Sequence, residues 1–170
     1  MLIRKANILD LKQIQNLYTI ARKHMIEEAN LTQWADEKMF IEETESFIKQ
    51  ECLYVVIVDD EIVGIYALIY GIDETYNVIN GKWINDCEYV TIHKMAVKYY
   101  RKGIASETLE YIIKEIKLKN ISNIRIDTHK DNISMNQFLL KHGFIHCGVI
   151  SIKNDFNNVD SLRNAYVKIV

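Results

Sequence analysis

Proline is missing from this chain, and its 170 residues include only six glycines. Turns must therefore be signalled by Asn, Asp and those few glycines. Cysteine is scarce too: Cys52, Cys87 and Cys147 are odd in number, widely separated and outside any metal-ligand spacing. This argues against a disulfide framework and a bound metal, and reads as reduced, partly buried thiols in a cytoplasmic protein. No apolar run approaches the ~20 residues that cross a bilayer, so no membrane partner is expected. Met1-Leu2-Ile3-Arg4-Lys5 lacks the apolar core of a secretion signal. Neither charge dominates, with 21 Lys and Arg against 23 Asp and Glu. Nucleic-acid binding calls for a basic excess, so that partner is not expected either. Gly-x-x-x-x-Gly-Lys-Ser/Thr and Gly-x-Gly-x-x-Gly are both absent, which argues against a nucleotide-binding loop. What the chain does have is 49% hydrophobic residues, enough for a core. With no repeat or low-complexity linker, the simplest organisation is one domain over residues 1–170.

Residues 2–5 suit a short strand. From Asp10, which suits an N-cap, Leu11, Ile14, Leu17, Tyr18, Ala21 and Met25 recur at spacings of three and four, the mark of an amphipathic helix. A second helix is expected over about Asp36 to Gln50. Leu53–Val58 and Ile62–Tyr70 read as a hairpin, residues 71–85 as a loop and Cys87–Val97 as the next strand. Ile104, Thr108, Leu109, Ile112, Ile113 and Ile116 follow one helix face. A strand over 124–128, a helix over Asn132–His142 capped by Gly143, and strands over 144–152 and 162–170 complete the chain. The order β-α-α-β-β-β-α-β-α-β-β predicts an α/β fold with a mixed sheet flanked by helices. Only the strand pair joined through the helix from 104 must be parallel.

The stretch from Met95 to Ser106 carries the strongest chemical signal. A strand ends, Arg101-Lys102-Gly103 follow, and a helical pattern starts at once. Such a turn offers backbone N–H groups and the positive end of a helix to a phosphorylated ligand.

Tyr100-Arg101-Lys102-Gly103-Ile104-Ala105 is similar to the acyl-CoA pyrophosphate loop of the GCN5-related N-acetyltransferase (GNAT) superfamily, written Gln/Arg-x-x-Gly-x-Gly/Ala. Asn132-x-x-Met135, ending in Leu140-Lys141-His142-Gly143-Phe144, resembles that family's Asn-containing helix. The resemblance extends over nearly the whole element order. Gln33-Trp34 resembles a pair found after the first helix in several small-molecule members.

The resemblance implies a GNAT-like acyl-CoA N-acyltransferase with acetyl-CoA (coenzyme A) as co-substrate and no metal. The acceptor would be a primary amine of a small molecule or peptide, taken by direct transfer. Arg101, Lys102, Gly103, Ile104, Ala105 and Ser106 would meet the pyrophosphate. The backbone of Met95, Ala96 and Val97 would pair with the pantetheine arm, and a Met95 or Ala96 N–H would polarise the thioester carbonyl. Asn132, joined by Met135, would touch pantetheine while serving as an N-cap. His93 is the candidate base, placed by alternation on one strand face with Thr91 and Met95; a packed strand histidine is the other reading. His129 is second choice, and Asp127 and Thr128 are possible parts of the cleft floor. Gln33, Trp34, Tyr66, Tyr70 and Glu88 would line the acceptor pocket, with Asp86 beside Glu88 attracting a cation. Leu139 stands where many members carry a tyrosine acid, and Tyr100 where they carry Gln or Arg. Leu139 keeps a second reading open, a non-catalytic acyl-CoA-binding module. A homodimer is compatible with the sequence.

Overall fold

Apolar spacing decides which helix faces turn inward. The computed structural model, which describes residues 1–170, has strands β1 (Leu2–Lys5), β2 (Leu53–Val58), β3 (Glu61–Tyr70), β4 (Asn80–Gly81), β5 (Tyr89–Val97), β6 (Asn123–Thr128), β7 (Ile145–Ser151) and β8 (Leu162–Ile169). The helices are α1 (Leu11–Glu27), α2 (Glu37–Lys49), α3 (Ile104–Leu118) and α4 (Ile133–Lys141). Ile14, Leu17, Tyr18, Ala21 and Met25 form the buried face of α1, and Thr108, Leu109, Ile112 and Ile116 that of α3. No helix is long and apolar enough to cross a membrane.

All strands join one sheet in the order β1-β2-β3-β5-β6-β8-β7-β4. Only β5 and β6 are parallel. Leu109, Ile112 and Ile116 of α3 pack with Leu139 of α4 on one face, over Val90, Ile92, Ile124 and Ile126. Ile14, Leu17 and Phe40 of α1 and α2 cover the other, over Leu53, Val55, Ile65 and Ala67.

Asp36 caps α2 through the Met39 N–H, at 3.0 Å. Asp10 makes no such cap on α1. Its carboxylate instead takes the Asn7 N–H at 2.8 Å and two bonds from Arg4, at 2.7 and 2.8 Å. The Arg4 contact is the stronger attraction, so the expected N-cap is a tie between β1 and α1.

Residues 71–85 are more than the expected loop. Asp73 caps a 3-10 turn, Glu74–Tyr76, and β4 then reaches the far edge of the sheet to pair with β7. The segment is a strap, held by Tyr76 packing with Tyr89, Ile150 and Ala165. Gly81 and Gly148 face each other there, and a Cβ on either would collide with the opposite backbone.

Two irregularities in β5 shape the site. Its pairing with β3 shifts between Ile65↔Ala96 and Ala67↔His93, and Lys94 adopts φ +51°. This is a bulge, with an extra residue on β5. Ile92 and Met95 both pack on the α3 side, while Lys94 reaches Phe40 on the α2 side. Strict alternation therefore fails, and His93 does not share a face with Met95 as expected. The second irregularity is that β5 pairs with β6 only from Tyr89↔Asn123 to Ile92↔Ile126. Beyond Ile92 the two strands part.

Candidate active site

The turn before α3 is shaped by two left-handed residues, Arg101 at φ +60° and Gly103 at φ +82°. Only glycine takes that conformation without strain, and a Cβ at 103 would meet nothing closer than Glu107 Oε1 at 3.8 Å. The requirement at 103 is therefore conformational rather than steric. No backbone carbonyl receives the N–H groups of Ile104, Ala105 and Ser106. These amides and the helix dipole form a cradle for an anion. The Ser106 hydroxyl is engaged by His142 Nε2 at 2.9 Å, while its amide has no backbone partner.

Next to this turn lies a cavity of about 840 Å³. Every residue nominated for the coenzyme lines it: Met95, Ala96, Val97, Arg101, Lys102, Gly103, Ile104, Ala105, Ser106, Asn132 and Met135. An elongated ligand with a pyrophosphate at one end fits these surroundings. The cradle supplies N–H donors, and the edge of β5 beyond Ile92 has no strand partner in β6. Asn132 caps α4 by accepting the Met135 N–H at 3.2 Å, and donates through Nδ2 to Gln33 Oε1 at 3.1 Å.

The cavity also has walls that the sequence did not announce. His24 of α1 and Glu28, the residue just past its end, line it with Ser134 and Phe138, beside Tyr100 of the turn. The His24 and Tyr100 rings lie 3.8 Å apart, and burial pushes the Tyr100 phenol up to about 12. Glu28 accepts the Ser134 N–H at 3.2 Å and also its hydroxyl. These contacts tie α1 to the start of α4. The helical period placed His24 only one turn from a core position, and gave no sign of what it would meet. Leu139 points into the core, 1% exposed, whereas Met135, Phe138 and His142 face the cavity.

His93 lies outside that cavity, at the point where β5 and β6 part. Its Nε2 is 2.7 Å from Asp73 Oδ2 in the strap, and its Nδ1 is 3.8 Å from Asp127 Oδ1 in β6. Tyr76 donates to Asp127 Oδ1 at 2.7 Å. Thr75 donates its N–H and hydroxyl to Asp73 Oδ1, at 3.0 and 2.6 Å. Burial disfavours the charged imidazole, but the Asp73 hydrogen bond and the Asp127 and Asp73 charges outweigh it and raise the His93 pKa. Burial likewise opposes the Asp73 charge, yet hydrogen bonds from His93 and Thr75 bring its pKa down to about 2.

The acceptor candidates divide. Gln33 and Trp34 sit beside the α1–α2 turn: Gln33 reaches Asn132, while the Trp34 carbonyl accepts the Tyr18 hydroxyl at 2.7 Å. Tyr66 is buried, stacked on Tyr54 with ring centroids 5.0 Å apart, and so belongs to the core rather than to a pocket wall. Tyr70 lies under Lys119 on the surface. Asp86 and Glu88 are exposed at the closed end of the β5–β6 pairing, four residues before the strands part at Ile92 in the case of Glu88. His129 is buried with its Nδ1 accepting the Asp131 N–H at 3.2 Å, and desolvation lowers its pKa. The Thr128 hydroxyl is buried without a partner.

The chain matches the acetyltransferase (GNAT) family model over residues 13–144. No curated protein sequence matches it. Among solved structures, a GNAT-family acetyltransferase from Streptococcus agalactiae 2603 is 29% identical, with a TM-score of 0.85 over 99% of this chain and 95% of the other. An acetyltransferase structure from Staphylococcus aureus Mu50 is 25% identical, with a TM-score of 0.73 over 99% of both chains. The PaiA N-acetyltransferase of Thermoplasma acidophilum, in complex with coenzyme A, shares the fold at 20% identity, with a TM-score of 0.69 over 99% and 98%.

Proposed function

Because the chain belongs to the GNAT acetyltransferase family, we propose that it moves an acetyl group from acetyl-CoA directly to a primary amine of a small molecule or peptide. The observation that carries this reading is the cavity where the Gly103 turn, the free edge of β5 and the Asn132 helix converge. The amides of Ile104 to Ser106, with Arg101 and Lys102, hold the pyrophosphate. The backbone of Met95 to Val97 aligns the pantetheine arm, and an N–H of Met95 or Ala96 stabilises the charge that develops on the thioester oxygen. No cysteine lines the cavity, which favours direct attack by the amine over a cysteine-bound acyl intermediate.

His93 takes the proton that the attacking amine must lose. Its place at the parting of β5 and β6 supports this role. The departing thiolate needs little help, since a free thiol has a pKa of ~8.5. With position 139 buried in the core, water or a phenol such as Tyr100 is left to return that proton.

Two measurements test the reading. Calorimetry should show acetyl-CoA binding that Gly103→Glu abolishes, because the new carboxylate enters an anion cradle. Release of free CoA should then be followed across spermidine, 1,4-diaminobutane, kanamycin, tyramine and short peptides with free N-termini. Turnover with at least one of these is expected. Tight acetyl-CoA binding with no consumption of it by any amine would leave a binding module, not an enzyme.

A further inference from the structure

The strap supplies a group that the family comparison does not assign. We infer that Asp73 is a positioning residue for His93: it holds the Nε2–H of the imidazole and so leaves Nδ1 bare, facing Asp127, where the acceptor nitrogen enters. This inference rests on the reading of His93 as the base.

Asp73 Oδ2 lies 2.7 Å from His93 Nε2, at hydrogen-bond distance, and an ionised carboxylate can only accept. Nε2 must therefore carry the proton. In the neutral ring the lone pair then falls on Nδ1. Asp73 is itself fixed, because Thr75 donates twice to its other oxygen and the carboxylate caps the 3-10 turn. On the opposite side, Asp127 Oδ1 stands 3.8 Å from Nδ1 and receives the Tyr76 hydroxyl. That gap is too long for a hydrogen bond, yet short enough for one ammonium nitrogen to lie within reach of both atoms. Asp127 would bind the amine as a cation, and Nδ1 would take one of its protons and so free the lone pair; the neutral amine then attacks the thioester carbon, and as the C–S bond breaks the second N–H proton passes to the departing thiolate, directly or through water. The His93 imidazolium so formed is stabilised by the two carboxylates.

The site falls where this chemistry is needed. His93 and Asp127 are the first residues of their strands beyond the last paired register, Ile92↔Ile126. They flank the opening of the gap from opposite sides. Lys94, next to it in β5, works against its protonation, and Arg163 of β8 sits close enough to Asp127 to feel its charge. Tyr76, from the strap, holds its ring centroid 6.2 Å from that of His93.

Asp73→Asn is the informative variant. The asparagine can keep both Thr75 bonds through Oδ1, but it presents an N–H donor where Oδ2 was. His93 should answer by switching to the Nδ1–H tautomer, which puts a proton on the catalytic nitrogen. Nitrogen-15 NMR of the labelled protein reads this directly, with His93→Gln assigning the signal. The expected result is an Nε2–H tautomer in the unaltered protein and an Nδ1–H tautomer in Asp73→Asn, with the His93 titration moved to lower pH. With whichever amine of the panel turns over fastest, kcat should fall about a hundredfold while KM for acetyl-CoA stays unchanged.

A neutral His93 in the Nδ1–H form in the unaltered protein overturns the inference, and this tautomer is read on the unaltered protein itself, with His93→Gln used only to assign the signal. An Asp73→Asn protein with unchanged tautomer, titration and kcat also overturns it, while a collapse of kcat in His93→Gln would still uphold the base. Unchanged kcat and pH profile in His93→Gln would remove the base itself, and the role of Asp73 with it.

Discussion

At the scale of single residues, Lys94 is a charged side chain held where burial opposes its charge. It sits at φ +51° in the bulge, its side chain is 5% exposed, and its ammonium lies 3.9 Å from the centroid of Phe40. Burial lowers its pKa, against the support of Glu43 at 2.7 Å. Buried ion pairs of this kind contribute little net stability, but removing one partner strands the other charge. Two substitutions should therefore behave in opposite ways. Lys94→Met keeps the length and the apolar stem and should stay within about 1 kcal/mol of the parent protein. Glu43→Ala should cost about 1–3 kcal/mol, below the full penalty for a buried pair because Glu43 is half exposed to water. Urea unfolding of both variants measures the difference, and a larger loss in Lys94→Met would contradict this account.

At the scale of elements, the strap joins the chemistry to the stability of the molecule. The His93–Asp73 pair pins it, and each partner titrates away from its ordinary range. His93 has a raised pKa, so its contribution is complete below the ordinary histidine value of 6.5 and fades as pH rises through the raised one. Asp73, depressed from 3.8 to about 2, contributes above its ordinary value and loses that contribution as pH falls toward 2. The advantage of the parent protein over His93→Gln should peak between about pH 4 and 6.5, at about 2 kcal/mol, and shrink at pH 3 and pH 9. Denaturant midpoints at pH 3, 5.5 and 9 test this. A difference that is flat with pH would mean the pair is not charged.

These elements also show which parts of the site could be read in advance. The faces of α1 and α3, the Gly103 turn and the Asn132 cap are local features, written in spacings of one to four residues, and periodicity exposes them. The Lys94 bulge is not local. Nothing in Thr91 to Val97 signals an extra residue; it exists because β3 pairs on both sides of it. So alternation puts His93 in β5, where the structure has it, but on one face with Met95, which the bulge prevents. Asp73 and Tyr76 lay in a stretch that looked like a polar loop. Their roles depend on β4 reaching β7, a contact between residues almost seventy positions apart. Tyr66 misled for the opposite reason, since alternation fixes a residue's parity without saying which face opens to a ligand.

At the scale of the whole molecule, the sheet is two half-sheets, β1-β2-β3-β5 and β6-β8-β7-β4, joined by the four registers of β5 and β6. The candidate coenzyme cavity spans that joint, with Met95 to Ser106 on one side and Asn132, Met135 and Phe138 on the other. A ligand there grips both halves and should stabilise the fold as one unit. At a hundred times its Kd, acetyl-CoA should add about 2.7 kcal/mol, raising Tm by roughly 5–10 °C. A thermal melt with and without acetyl-CoA checks this, and Gly103→Glu should abolish the rise.

The strap gives the molecule an order of assembly. Tyr76 is buried against Ile150 and Ala165, and β4 has no partner except β7. Before residue 145 is made, Asp73 has its bonds to His93 and to the Tyr89 hydroxyl, but the apolar packing that buries Tyr76 is still missing. On the ribosome, the first half-sheet and the Gly103 turn can form while the chain is still growing, but the strap that carries Asp73 gains its β7 pairing and its packing on Ile150 and Ala165 only with the last thirty residues. The nascent protein thus forms its candidate coenzyme cradle early, while the setting of the candidate base is made rigid late.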